Sequence, residues 1–274
     1  MSVSQSEKAV KFDALHAGPG AFVVANVFDA GSARIVSGLG FGAVATSSGG
    51  FAGTIGRRDG LISRNEAIEH ARVVVNATEL PVSADLENGF GDAPEAVAET
   101  VRLAAEAGLV GCTIEDATKD KAQPIYPFDA ALERIAAGVE AMNALGFDFK
   151  LTGRCENFLR GNPDLDDTIR RLQAYEAAGA KVLMAPGLPN LDAVRTVCDA
   201  VSKPFNFMVG IPGKSFSVAG LEEAGVRRIS LATSLYRAAM SAMIDAAKEV
   251  RDEGTFEFVD TSIPTPELAS FMKR

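Results

Sequence analysis

The sequence predicts an α/β chain folded as a (β/α)8 barrel of the TIM type, and three observations carry that expectation. Short apolar runs alternate with longer stretches of helical period about eight times along the 274 residues. The runs lack a polar alternation, as strands covered on both faces of a parallel sheet do. The helical stretches close on Ala-Gly-Leu, Ala-Gly-Ala and Ala-Gly-Val at Gly108, Gly179 and Gly225, where glycine suits the left-handed position that ends a helix. A barrel of this kind takes roughly 250 residues, so the length calls for one domain, 1–274.

The elements follow in order. Residues 22–27 predict the first strand and 32–39 a helix closed by Gly40. Residues 43–46 are the second strand, running into Ser47-Ser48-Gly49-Gly50, and 81–85 the third. Pro94 opens a helix to about Ala107, in the first-turn position that proline favours. The fourth strand, 111–115, precedes a helix over 129–145; the fifth, 149–152, precedes one over 166–178. Residues 181–185, 204–209 and 228–232 supply the last three strands. A long helix over 234–249 leads to a tail of about 255–274, with Pro264, Pro266 and a short apolar helix over 267–272. That extra helix predicts docking on a neighbouring subunit as a swapped element, or on its own barrel.

Composition narrows the function. A formal net charge of −9 argues against nucleic acid and anionic membrane as partners, which call for basic patches. It leaves open a small anionic substrate, since a few local cations dominate a pocket. Cys112, Cys155 and Cys198 are widely spaced and fit no disulfide framework or zinc motif. The first residues lack the apolar core of a secretory leader, which predicts a cytoplasmic protein. No Gly-x-Gly-x-x-Gly or phosphate-binding loop is present.

In a barrel enzyme the site forms where strand C-termini meet their loops. Those positions hold Asp85-Leu86-Glu87-Asn88-Gly89, Glu115-Asp116 and Arg154-Cys155-Glu156. Asp85 and Glu87, two apart, share a face if both lie on the strand. Carboxylates gathered there repel unless a cation lies between them, and oxygen ligands select Mg²⁺ or Mn²⁺. The alternative is acids that cap helix N-termini. Arg154 is placed to grip a carboxylate with two parallel bonds, or to pair with Glu156. The polar segment 117–128, containing Pro124 and Tyr126, reads as a lid over the site or a static connector. His16 and His70 fall away from strand C-termini and are read as non-catalytic.

The run Leu80-Pro81-Val82-Ser83-Ala84-Asp85-Leu86-Glu87-Asn88-Gly89-Phe90-Gly91 resembles the metal-binding segment of the isocitrate lyase/phosphoenolpyruvate mutase superfamily. So does 107–116, ending Thr113-Ile114-Glu115-Asp116, with softer matches at 28–34 and 174–180. The resemblance implies a barrel with a swapped terminal helix, assembled as a dimer or tetramer. It implies a metal near Asp85, Glu87 and Glu115, with Asp59 a further acid of the shell. It places Ser48 and Gly49, with Thr46 beside them, on the substrate carboxylate, and adds Arg154 and Asn206 as substrate contacts.

The lyase branch carries a Lys-Lys-Cys-Gly-His or Lys-Arg-Cys-Gly-His loop after strand four, whereas residues 117–126 hold neither cysteine nor histidine. Cleavage of isocitrate or 2-methylisocitrate by that cysteine is therefore not expected. The mutase branch carries a gating-loop lysine and asparagine; Lys119 and Lys121 stand here without a recognisable asparagine, and Thr118 resembles the phosphonopyruvate-hydrolysing members. Arg154, Thr118 and Lys119 are thus the candidate catalytic side chains. Three readings remain: cleavage of a C–C bond in a 2-oxo diacid such as oxaloacetate, C–P chemistry on phosphonopyruvate, or a non-catalytic 2-oxo-acid binder.

Overall fold

The computed structural model of the chain describes residues 3–272; Lys273 and Arg274, the end of the expected tail, lie outside the described residues. Eight parallel strands close into a barrel in chain order: β1 (Phe22–Val27), β2 (Val44–Thr46), β3 (Val82–Asp85), β4 (Gly111–Glu115), β5 (Lys150–Arg154), β6 (Val182–Met184), β7 (Phe205–Met208) and β8 (Arg228–Ser230). The ring closes where Phe22 of β1 pairs with Arg228 of β8.

The helices are α1 (Gln5–Ala17), α2 (Ala30–Gly38), α3 (Ser48–Thr54), α4 (Arg64–Ala77), α5 (Pro94–Glu106), α6 (Phe128–Asn143), α7 (Leu165–Ala178), α8 (Leu191–Ala200), α9 (Val218–Glu223), α10 (Ser234–Asp252), α11 (Phe258–Thr261) and α12 (Thr265–Phe271). The expected glycine stops hold: Gly108, Gly179 and Gly225 all have positive φ. A large apolar core joins the outer faces of the strands to α2 and α4–α9. A second, smaller cluster joins Ala9 and Phe12 of α1 to Val24, Ala43, Ala45 and Val110, so α1 closes the end of the barrel where the strands begin. Among the described residues no helix is long and apolar enough to cross a membrane.

The structure differs from the sequence reading in two places. The residues after β2 are not an open turn but the short helix α3, started by Ser47, whose Oγ accepts from the Gly50 amide at 3.2 Å. β3 ends at Asp85, and Glu87 turns into the left-handed region with φ of 48°. The shared-face argument for Asp85 and Glu87 therefore fails; a turn, not strand periodicity, sets where Glu87 points. The short helix α12 lies on α2 of its own chain, one of the two positions expected for it. A Cβ at Gly38 would sit 2.6 Å from the Phe271 ring, and Arg34 Nη1 donates to the Met272 carbonyl at 2.9 Å.

Candidate active site

The ends of β2 to β5 bring the expected acids and the arginine to one face of the barrel. Asp85 is held at the end of β3: its amide donates to Thr46 Oγ1 at 3.2 Å, and one carboxylate oxygen accepts from the Glu87 amide at 3.3 Å. Ser48 Oγ lies 2.9 Å from Asp85 Oδ2 and 3.2 Å from Asp59 Oδ1, between the two acids. Ser48 and Gly49 occupy the first turn of α3, where amides have no carbonyl to pair with inside the helix. Gly49 admits the close approach, since a Cβ there would meet Thr233 at 2.9 Å and Asp59 at 3.0 Å.

Arg154, the last residue of β5, is the electrostatic centre. Its Nε donates to Glu156 Oε1 at 2.6 Å, and its Nη1 lies 3.4 Å from Glu115 and 3.8 Å from Asp85. Burial works against the charged guanidinium, but Glu156, Glu115 and Asp85 outweigh it and hold the group firmly protonated. Of the two expectations for Arg154, the structure shows the pair with Glu156, and the guanidinium also faces the cluster. Arg160, which sequence reasoning missed, bridges Glu156 Oε2 at 3.1 Å and Glu115 Oε1 at 3.4 Å. It lies beyond the strand end on a short 3₁₀ turn (Asn157–Leu159), where strand-based reading carries no signal.

Two adjoining cavities receive these groups. The first, about 200 Å³, is bounded by Thr46, Ser48, Gly49, Asp85, Arg154 and Asn206. The second, about 410 Å³, takes Glu87, Glu115, Thr118, Lys119 and Arg160; Asp59 lines both. Thr118 turns its hydroxyl to the carbonyls of Asp120 and Gln123 rather than to a carboxylate. Its segment folds on itself through a bridge between Ala117 and Ile125, with the Thr118 amide donating to Pro124 O at 3.0 Å. The Tyr126 hydroxyl donates to Asp92 at 2.6 Å and accepts from Asn88, a residue of the second cavity's wall, at 3.2 Å. Asp116 also turns away from the site and accepts from Tyr175, Arg171 and the Glu156 amide.

The acids are strained as they stand. Burial, then the charge of Asp85, pushes Glu87 up to about 7. Burial raises Glu115, against the pull of Arg154, and Asp59 is raised by burial and by Asp85. Glu87 Oε1 is buried with no hydrogen-bond partner among the described residues. A buried, unpartnered carboxylate oxygen beside other acids is what a hard cation relieves. Among the described residues, however, no three acids are drawn together as direct ligands. The donor set is compatible with a cation that keeps much of its water, as Mg²⁺ does, and Asp85, Glu87, Glu115 and Asp59 are the residues that could hold one.

The family model described as phosphoenolpyruvate phosphomutase matches residues 12–251. The chain belongs to that family. A crystal structure from Burkholderia cenocepacia J2315, of a protein provisionally named a lyase/mutase, is 50% identical, covers 98% of this chain and 97% of its own, and superposes with a TM-score of 0.96. The crystal structure of 2,3-dimethylmalate lyase, a member of the phosphoenolpyruvate mutase/isocitrate lyase superfamily, is 26% identical with a TM-score of 0.87, covering 97% of this chain and 95% of its own. Oxaloacetate decarboxylase of Chromohalobacter salexigens is 28% identical over 96% of this chain and 92% of its own. The phosphoenolpyruvate phosphomutase family chain is thus an enzyme of the mutase/isocitrate lyase type, a group that contains lyases, decarboxylases and mutases.

Proposed function

We propose that this enzyme cleaves the C–C bond next to the carbonyl of a small 2-oxo diacid such as oxaloacetate, with Mg²⁺ (or Mn²⁺) held by Asp85, Glu87, Glu115 and Asp59. The observation that carries the reading is Arg154, fixed by Glu156 at 2.6 Å and facing Asp85 and Glu115 at the mouth of a cavity sized for such an acid. When bound, the cation polarises the substrate carbonyl as a Lewis acid. The first-turn amides of Ser48 and Gly49, with Thr46 beside them, take a carboxylate, and Asn206 offers an amide deeper in the cavity. Arg154, kept charged and locked in orientation, presents its free N–H groups to the oxygen on which negative charge grows as the bond breaks. The missing loop cysteine in 117–126 separates this reading from isocitrate-type cleavage, and the decarboxylase relative supports it.

A second reading, C–P chemistry on phosphonopyruvate, draws on Lys119, which lines the cavity of Glu87 and Glu115, and on Thr118 beside it. The test is ¹H and ³¹P NMR of the purified protein with Mg²⁺, given each acid separately, with Asp85→Ala as the control for spontaneous oxaloacetate decay. Pyruvate, or oxalate with acetate, formed only by the wild type establishes C–C cleavage. Turnover of phosphonopyruvate alone moves the enzyme to the second reading, and binding without product leaves a 2-oxo-acid binder.

The same reading makes the chain one barrel domain of a cytoplasmic homo-oligomer, a dimer or tetramer. Its support is the large apolar side chains exposed on α10 and the tail, among them Met243, Ile244, Phe256 and Val259. Sedimentation equilibrium tests it; a monomer at every concentration would remove it.

A further inference from the structure

Below the proposed substrate position the same cavity continues down the barrel axis to Arg228, at the start of β8. This arginine is 3% exposed. Its Nη2 donates to Ser83 Oγ at 2.9 Å, its guanidinium stands 5.5 Å from the Phe12 ring, and its Nε has no partner among the described residues. Among the described residues no acid pairs with it, and burial pulls its pKa down to about 10. His16, the nearest titratable ring of α1, adds no negative charge, being kept neutral with a pKa of about 3 by burial and by Arg228 itself.

Guanidinium stays protonated at any ordinary pH, so the charge cannot be relieved by losing a proton. An uncompensated buried cation costs several kcal/mol. The polar side chains beside it, Ser83, Asn206 and Ser230, are neutral, and the acids of the same cavity, Asp85 and Asp59, stand nearer its mouth. Asn206 is the β7 residue in register with Arg228. As placed, its Nδ2 donates to Ser230 Oγ at 3.0 Å and its buried Oδ1 has no partner among the described residues. Turning that amide over lets Ser230 donate to Oδ1 and aims the NH₂ into the vacant direction. One change of occupant then satisfies both orphans: a negative charge between the Arg228 Nε–H and the Asn206 amide.

We propose that the floor of the barrel is an anion subsite, built by Arg228 with Ser83 and Asn206, which takes a small monoanion through the active-site mouth. The monoanion is a free halide or the remote carboxylate of a substrate; the chemistry at Arg228 is the same. The subsite stands whether or not the reaction proposed above is correct, because it needs neither metal nor turnover.

The test uses bromide as the probe. Crystals of the wild-type protein grown in sodium bromide are expected to show an anomalous peak against the Arg228 guanidinium. In solution, bromide is expected to raise the unfolding midpoint of the wild-type protein by about 2–4 °C. Ser83→Asp places a carboxylate beside the guanidinium and is expected to abolish both effects, as is Arg228→Met. Adding malate separates the sources. A malate carboxylate that displaces the bromide makes the subsite part of substrate recognition, and bromide that persists beside malate makes it a separate halide site. Water alone at Arg228 in the wild type, or a bromide response unchanged in Ser83→Asp, overturns the proposal.

Discussion

Glu115 and Asp116 follow one another at the end of β4, and both are buried, yet they are treated in opposite ways. Asp116 is fully engaged: Tyr175 donates at 2.6 Å, the Glu156 amide at 2.8 Å and Arg171 at 3.2 Å. Glu115 has two guanidinium groups no nearer than 3.4 Å and belongs to a set in which Glu87 keeps an oxygen without a partner. One region spends its polar groups on one another and locks the loops after β4 and β5. The other leaves its groups short of partners, which is the state of a site that expects something to arrive. Burial treats the two acids alike; the partners they find separate them.

That contrast breaks in measurable ways. Asp116→Ala, which leaves the buried Tyr175 hydroxyl and the Glu156 amide without an acceptor and takes one of two carboxylates from Arg171, is expected to cost about 3–5 kcal/mol in urea denaturation; a loss below 1 kcal/mol would contradict its structural role. Asp85→Ala is expected to do the reverse. Turnover of the productive 2-oxo acid falls about 10²–10³-fold, while the urea midpoint holds or rises because a repelling charge has gone. Gly49→Ala sharpens the comparison within the site itself. The new methyl group presses on Asp59 and Thr233, and kcat/KM is expected to fall about tenfold or more with a small change in stability.

The smallest effect is in pH dependence. The folded, metal-free chain holds Glu87 near 7, against an ordinary 4.5. Between those values the native state keeps a proton that the unfolded chain releases, so stability falls as pH rises through this window. Unfolding in EDTA at a series of pH values should show that slope, and Glu87→Gln should reduce it, with the raised Glu115 and Asp59 supplying the remainder. A wild-type slope of the opposite sign would mean the acid is paired rather than strained.

The barrel was legible in the sequence because unbroken apolar runs and glycine helix stops are local signals, and each corresponds to one strand or one cap. The acids at strand ends were legible for the same reason. What escaped was set by turns and by contacts distant in sequence. Glu87 reaches its place through a left-handed residue, not through strand alternation. Arg160 arrives on a 3₁₀ turn, and α3 is the cap of Ser47. Asp116 reads like another site acid until Tyr175 and Arg171, more than fifty residues away, are seen to claim it. Arg228 looked like an ordinary strand residue; only closure of the ring places it inside.

The segment between β4 and α6 ties its ends together through Ala117 and Ile125 and spends the Thr118 hydroxyl on its own carbonyls. Such a segment behaves as an interchangeable cassette. Its length and composition can drift over generations while the strands beneath keep their register. The stretch beside Glu87 and Glu115 can thus be rewritten with no renegotiation of the barrel that carries those acids.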